Sequence, residues 1–274
     1  MQNRMVHVLV CLHIVPSVCM QRSPWVLHEQ SVYDSIETPC YGISTALHDL
    51  GVFITNLFSA DAWWVLGAGA PFYGVAHMFD ERVHNHFYCH HHHINKHQGG
   101  SHLQDMSECL VAMSISSLVA SSFAVQWPDL QRTAQMYAIT LPITWGTKSL
   151  IKKIRWRDNC RPKNQGFAQH KHYYGGFPSG HMLEMTYATI FFGLRMGPAF
   201  AIPLGIATTV IGAAFVQCNR HYVSQLVAGA ALGAMFACAA YWTIESCSEQ
   251  LPIAITIQPN TEHKHMALCA AYSF

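Results

Sequence analysis

The chain has 274 residues, of which 51% are hydrophobic and only 11% charged, with a formal net charge of +1. Soluble domains are about one-quarter charged, so the balance argues for a lipid environment, and the near-zero charge argues against nucleic acid as a partner. The 10 cysteines include no C-x-x-C pair, and several sit inside apolar runs. They read as small core residues rather than as a disulfide framework.

In chain order, Met5–Cys19 follows Arg4 and is apolar, the outline of a signal-like core. Pro16 interrupts it, and no small-x-small cleavage site follows. Residues 21–60 read as a surface segment, with Gly51–Phe58 at the membrane interface. A helix needs about 20 mostly apolar residues to cross a bilayer. Six runs approach that length: Ala62–Met78, Cys109–Trp127, Met136–Leu150, His181–Met196, Ala199–Gln217 and Val223–Ile244. They are rich in Gly, Ala, Ser and Thr, which let membrane helices approach closely. The expected fold is therefore all-α, a membrane bundle of about six transmembrane helices with its active site at one membrane face. Residues 1–60 form an amino-terminal segment, 61–245 the transmembrane domain, and 246–274 a polar tail without regular structure.

Between the first two runs lies a histidine cluster: His84, His86, His90, His91, His92, His93, His97 and His102. His86 and His90 have the i, i+4 spacing of metal ligands on a helix. One reading is a di-iron membrane oxidase, whose histidine boxes are spread along the chain; here one loop holds nearly all of them. Another is a metal transporter, and the plainest is a polar loop with incidental metal affinity.

Positive charge concentrates between the third and fourth runs, in Lys152, Lys153, Arg155, Arg157, Arg161 and Lys163. Such a loop is either a cytoplasmic topology signal or an anion site, since guanidinium forks match phosphate oxygens. Pro178-Ser179-Gly180-His181 then stands directly before an apolar helix. A helix start offers free backbone N–H groups to an oxyanion, and His181 in its first turn can protonate a leaving group. One helical hairpin later comes Arg220-His221-Tyr222-Val223-Ser224-Gln225, returned to the same membrane face. Two histidines with several cations at one face suggest covalent phosphoryl transfer.

These three pieces resemble the three signatures of the type 2 phosphatidic acid phosphatase and vanadium haloperoxidase superfamily: Lys-x6-Arg-Pro, Pro-Ser-Gly-His and Ser-Arg-x5-His-x3-Asp. The resemblance covers roughly Leu150 to Gly229. Pro178–His181 matches fully, Arg161-Pro162 ends the first signature, and His221 falls in the third. The resemblance implies that His221 is the nucleophile forming a phosphohistidine and that His181 is the general acid. Arg161, Ser179 and the Gly180 backbone would hold the phosphate. It implies no metal and no cofactor. The mostly soluble haloperoxidase branch does not suit so apolar a chain.

Three positions depart from the pattern. The family's Lys falls on Ile154, with Lys153 or Arg155 as stand-ins. Its Ser-Arg falls on Ala214 and Phe215, leaving Arg220 as a substitute phosphate ligand if the segment is irregular. Its Asp falls on Gln225, which can accept a hydrogen bond from His221 but brings no charge. Restoring Asp at 225 is therefore expected to raise the rate. Glu184, on the same helical face as His181, reads either as a substitute negative charge or as a helix-start acid.

The resemblance implies an integral-membrane phosphatase acting on a phosphorylated lipid, monoester or diphosphate. It places the active loops on the outer, periplasmic face of a bacterial inner membrane, against the Lys/Arg count, which would put 151–171 inside. The alternative is a catalytically impaired membrane protein that keeps the fold.

Overall fold

The computed structural model describes residues 43–89, 94–95, 100–162, 174–249, 254–260 and 265–271. The signal-like stretch Met5–Cys19, His90 to His93, His97 and Lys163 lie outside them. The elements, in order, are α1 (Ile43–Leu57), α2 (Ala60–Ala68), α3 (Ala70–Phe87), the short strands β1 (Tyr88–Cys89) and β2 (Ile94–Asn95), α4 (Gly100–Ala120), α5 (Pro128–Ile151), α6 (Gly180–Met196), α7 (Pro198–Gln217) and α8 (Val223–Glu249). Strands β3 (Ala254–Asn260) and β4 (His265–Ala271) follow as an antiparallel hairpin, where the sequence suggested an irregular tail.

Four of the six expected spans lie within single helices; Ala62–Met78 is broken at Gly69 between α2 and α3, and Cys109–Trp127 runs beyond the end of α4 at Ala120. Three helices are long and apolar enough to cross a membrane by themselves: His102–Phe123, Pro198–Gln217 and Val223–Cys247. A fourth is available if Ile43–Leu57 and Ala60–Phe87, bent by 58°, count as one broken span. That is fewer than the about six expected. The shortfall lies in α5, diluted by Thr, Gln and Lys148, and in α6, only 17 residues long with Glu184 inside it.

Helix α6 is packed by α8, α7, α5 and α4. It approaches α8 closely because Gly229 and Gly233 stand one turn apart on the facing side. A Cβ at Gly229 would collide with the Ser179 carbonyl, and one at Gly233 with the Leu183 carbonyl. Around this seam the core is filled by Tyr137, Leu183, Tyr187, Phe191, Phe192 and Phe236, all buried. The Tyr187 hydroxyl shares a 2.5 Å hydrogen bond with Thr140 across α5 and α6, so its polar tip is satisfied within the apolar layer.

Residues 43–57, expected as surface, are a packed helix instead. Phe53 is fully buried against Phe236, and Asp49 binds Arg132 at 2.7 Å. A buried carboxylate needs such a partner, and the partner lies on α5, far away in sequence.

Candidate active site

Helix α7 ends at Gln217, and α8 begins at Val223. The turn between them carries Asn219 at φ 51, Arg220 and His221. It is pinned from α3. Asp80 accepts from the Ser224 backbone N–H at 3.0 Å and from the Ser224 hydroxyl, capping the first turn of α8. His77 contacts the same carboxylate at 3.2 Å, and His84 Nδ1 pairs with Asn219 Oδ1 at 2.9 Å. His84 thus leaves the sequence's histidine cluster and joins the support of the site. His86 ends α3, and His102 starts α4.

His221 is buried, and its Nδ1 lies 3.1 Å from Gln225 Oε1. The Gln225 amide nitrogen donates to the carbonyls of Asp158 and Cys160 at 2.8 and 2.7 Å. With its nitrogen committed, the side chain must turn its oxygen toward His221. The imidazole therefore donates from Nδ1 and keeps its lone pair on Nε2. Burial, with Arg161 adding to it, holds the His221 pKa well below its usual value, against the opposing Gln225 hydrogen bond.

The basic loop reaches this point through Asn159, which is fully buried. Its amide donates to the carbonyls of Lys152 and Ile154 at 3.0 and 2.5 Å. Its Oδ1 accepts from the backbone N–H groups of Gly175 and Phe177 at 3.1 and 3.0 Å. One side chain thus ties the start of the loop to the strand-like return that leads into Pro178. Nothing in local sequence marks Asn159 for this.

Arg161 is half-buried and donates from one terminal nitrogen to the Gly175 carbonyl at 3.5 Å. Its Nε and the hydroxyl oxygen of fully buried Ser179 make no hydrogen bond among the described residues. The Ser179 backbone N–H bonds the Gln225 carbonyl at 3.0 Å, locking the α6 start to the α8 start. His181 follows, its ring 5.1 Å from the Phe215 ring. The His221 ring lies 5.9 Å from the same Phe215 ring. The two histidines, Arg161 and Ser179 thus converge at the meeting of α6, α7 and α8.

A sequence model of the PAP2 superfamily matches residues 111–248, half of the chain. The chain belongs to the PAP2 superfamily. No curated protein and no solved structure matches it at a significant level.

The remaining expected residues of this PAP2 chain divide clearly. Arg220 is engaged elsewhere: it binds Glu108 of α4 and lies over the Phe215 ring at 5.1 Å. Lys153 and Ile154 are exposed on the loop, and the Arg155 guanidinium sits 5.9 Å over the Tyr174 ring. Around the site, sequence reasoning missed Asp80, Asn159 and Lys148, whose ammonium end lies against Gly180. Asp80 stands in the charged run Asp80-Glu81-Arg82, so nothing local distinguishes it. A grouping of three potential metal ligands, His48, Asp49 and Cys247, lies within 4.8 Å. It sits at the far end of α8 from His221, on the order of 35–40 Å away along the helix. Its carboxylate is already held by Arg132.

Proposed function

We propose that this PAP2 chain is an integral-membrane phosphatase that hydrolyses a lipid phosphate, monoester or diphosphate, through a phosphohistidine. The observation that carries the reading is the convergence of His181 and His221 with two buried polar groups that have no partner among the described residues, Ser179 Oγ and Arg161 Nε. Buried polar atoms are normally satisfied, and these two suit the oxygens of a phosphoryl group.

In the first step the His221 Nε2 lone pair forms the bond to phosphorus and the ester P–O bond breaks. His181 gives its proton to the departing lipid oxygen. Gln225 Oε1 accepts from Nδ1–H and steadies the positive charge that grows on the ring. In the second step water attacks phosphorus, the P–N bond breaks, and the proton from water returns to His181. Inorganic phosphate leaves. Arg161, Ser179 and the Gly180 N–H stabilise the equatorial oxygens in both steps. No metal takes part in these steps. The site opens at headgroup level, on the outer, periplasmic face of a bacterial membrane.

One observation favours the second reading, an impaired enzyme. Phe215 stands where the family carries an Arg, and its buried ring contacts both histidines. The test is phosphate release from a panel of phosphorylated lipids by the full chain in vesicles, beside His221→Ala and with chelator present. Release that survives chelation and disappears in a folded His221→Ala protein is the expected result. Turnover unchanged in His221→Ala overturns the mechanism, and activity lost to chelator and restored by zinc or iron favours the histidine-loop reading.

A further inference from the structure

The site absorbs only part of the basic loop. Arg161 converges with the histidines, but Lys152, Lys153 and Arg155 stand exposed on the turn that follows α5. Among the described residues none of these three cations makes an ion pair. Apolar side chains are interleaved with them and are exposed too: Ile154 by 58%, Trp156 by 42% and Leu150, near the end of α5, by 68%. Asp158 is the one acid between residues 150 and 162, and its carboxylate accepts from the Tyr73 hydroxyl of α3 at 3.2 Å. The turn therefore presents unspent positive charge and large apolar groups together, and an exposed apolar patch of this kind marks an interaction surface.

We propose that this turn is a binding surface for anionic phospholipid. Leu150, Ile154 and Trp156 enter the edge of the acyl layer, where tryptophan is enriched, and Lys152, Lys153 and Arg155 lie among net-negative headgroups. The fold sets the height. Helix α7, long and apolar enough to span, ends at Gln217, and α8, another such helix, begins at Val223. Gln225, in the first turn of α8, holds the carbonyls of Asp158 and Cys160. The loop is thereby tied to the level at which two spanning helices leave the hydrocarbon, which is the level of the headgroups. The inference needs this membrane bundle and not the phosphatase chemistry.

The surface is preformed. Asn159 holds the carbonyls of Lys152 and Ile154, and the Trp156 ring meets the Phe177 ring edge-on at 4.9 Å. Phe177 directly precedes Pro178, at the approach to α6. A lipid held by the turn is thus linked, through Asn159 and Phe177, to the segment that places Arg161 and Ser179. A zwitterionic headgroup offers the same phosphate with its charge cancelled, so selection between lipids falls to the three cations, at about fivefold for each one near a charged surface. A free phosphate ion, by contrast, makes no use of the three apolar side chains.

The test uses the purified full chain in nanodiscs of phosphatidylcholine, with and without phosphatidylglycerol. It reads hydrogen–deuterium exchange over residues 150–160 and, by native mass spectrometry, the ratio of the two lipids retained on the protein. The expected result is slower exchange in the anionic discs and preferential retention of phosphatidylglycerol, both weakened by high salt. The triple variant Lys152→Gln/Lys153→Gln/Arg155→Gln should lose that preference by about fivefold per cation. Ile154→Ser, with every cation intact, should weaken phosphatidylglycerol retention as well. These positions are exposed and the Asn159 bonds go to backbone carbonyls, so the variants leave the turn's own support in place. Equal exchange and equal retention in the two kinds of disc overturn the proposal. So does a folded triple variant that keeps the wild-type preference. Protection of the turn by inorganic phosphate in lipid-free detergent, equal to that given by phosphatidylglycerol, overturns it too, by showing a free-anion site instead of a lipid surface.

Discussion

Gln225 presents its side-chain carbonyl to His221 Nδ1 at 3.1 Å because its amide nitrogen is already bonded to two loop carbonyls. The glutamine is therefore a bracket as well as a hydrogen-bond partner. It joins the turn that carries His221 to the loop that carries Arg161.

This changes the expected outcome of Gln225→Asp. Asp is one methylene shorter and has no donor, so the Asp158 and Cys160 carbonyls lose their partner and meet a carboxylate. Gln225→Asp is expected to cost about 2–4 kcal/mol of stability and to lower turnover, where motif matching alone anticipates a gain. Thermal unfolding and phosphate release, measured together, check it. A stable Gln225→Asp protein that turns over faster than wild type would refute the bracket.

The depressed pKa of His221 sets a pH dependence of definite sign. In the proposed mechanism neutral His221 is the attacking form, and burial with Arg161 holds its pKa well below the usual value. The acid limb of kcat/KM that this group controls should therefore lie well below pH 6.5. Stability follows the same sign. The unfolded His221 takes up a proton near pH 6.5 and the folded one does not. Its contribution is intact above that pH and is lost as pH falls below it, by up to about 1.4 kcal/mol per pH unit. Comparing unfolding of wild type and His221→Ala between pH 7 and 5 isolates the effect: the wild type should lose stability more steeply.

Asn159→Ala should release the basic loop. Two N–H groups, that of Gly175 buried, and two carbonyls lose their partner at once. We expect a cost of about 2–4 kcal/mol and faster proteolysis between residues 152 and 175, with α6 to α8 remaining protected. Unchanged cleavage of that segment would show that other contacts hold it.

Gly233→Ala should separate α6 from α8. The new methyl would meet the Leu183 carbonyl, which is backbone and cannot rotate away. A loss of about 1–3 kcal/mol is expected, with turnover falling because Ser179 and Gln225 are joined across the same seam. Circular-dichroism melting in detergent measures the first effect, and phosphate release the second.

The sequence by itself determined the helical membrane class, the positions of the apolar helices α7 and α8, and the identity of His181, His221, Ser179 and Arg161 as candidate site residues. Each of these is written locally, as an apolar run or as a few residues at a helix start. Only the tertiary structure decided what surrounds them. Ser224 meets Asp80 across 144 residues, and Gln225 meets Asp158 across 67. Lys148 meets Gly180 only because α5 and α6 lie side by side. A side chain's partners across such distances follow from which helices touch and at what rotation, and no spacing rule along the chain records that. The same cause explains the assignments that shifted. Arg220 is adjacent to His221 in sequence, yet its own direction from the turn carries it to Glu108 on α4. Lys148 lies inside a predicted span, and only the packing of α5 on α6 puts its ammonium end against Gly180.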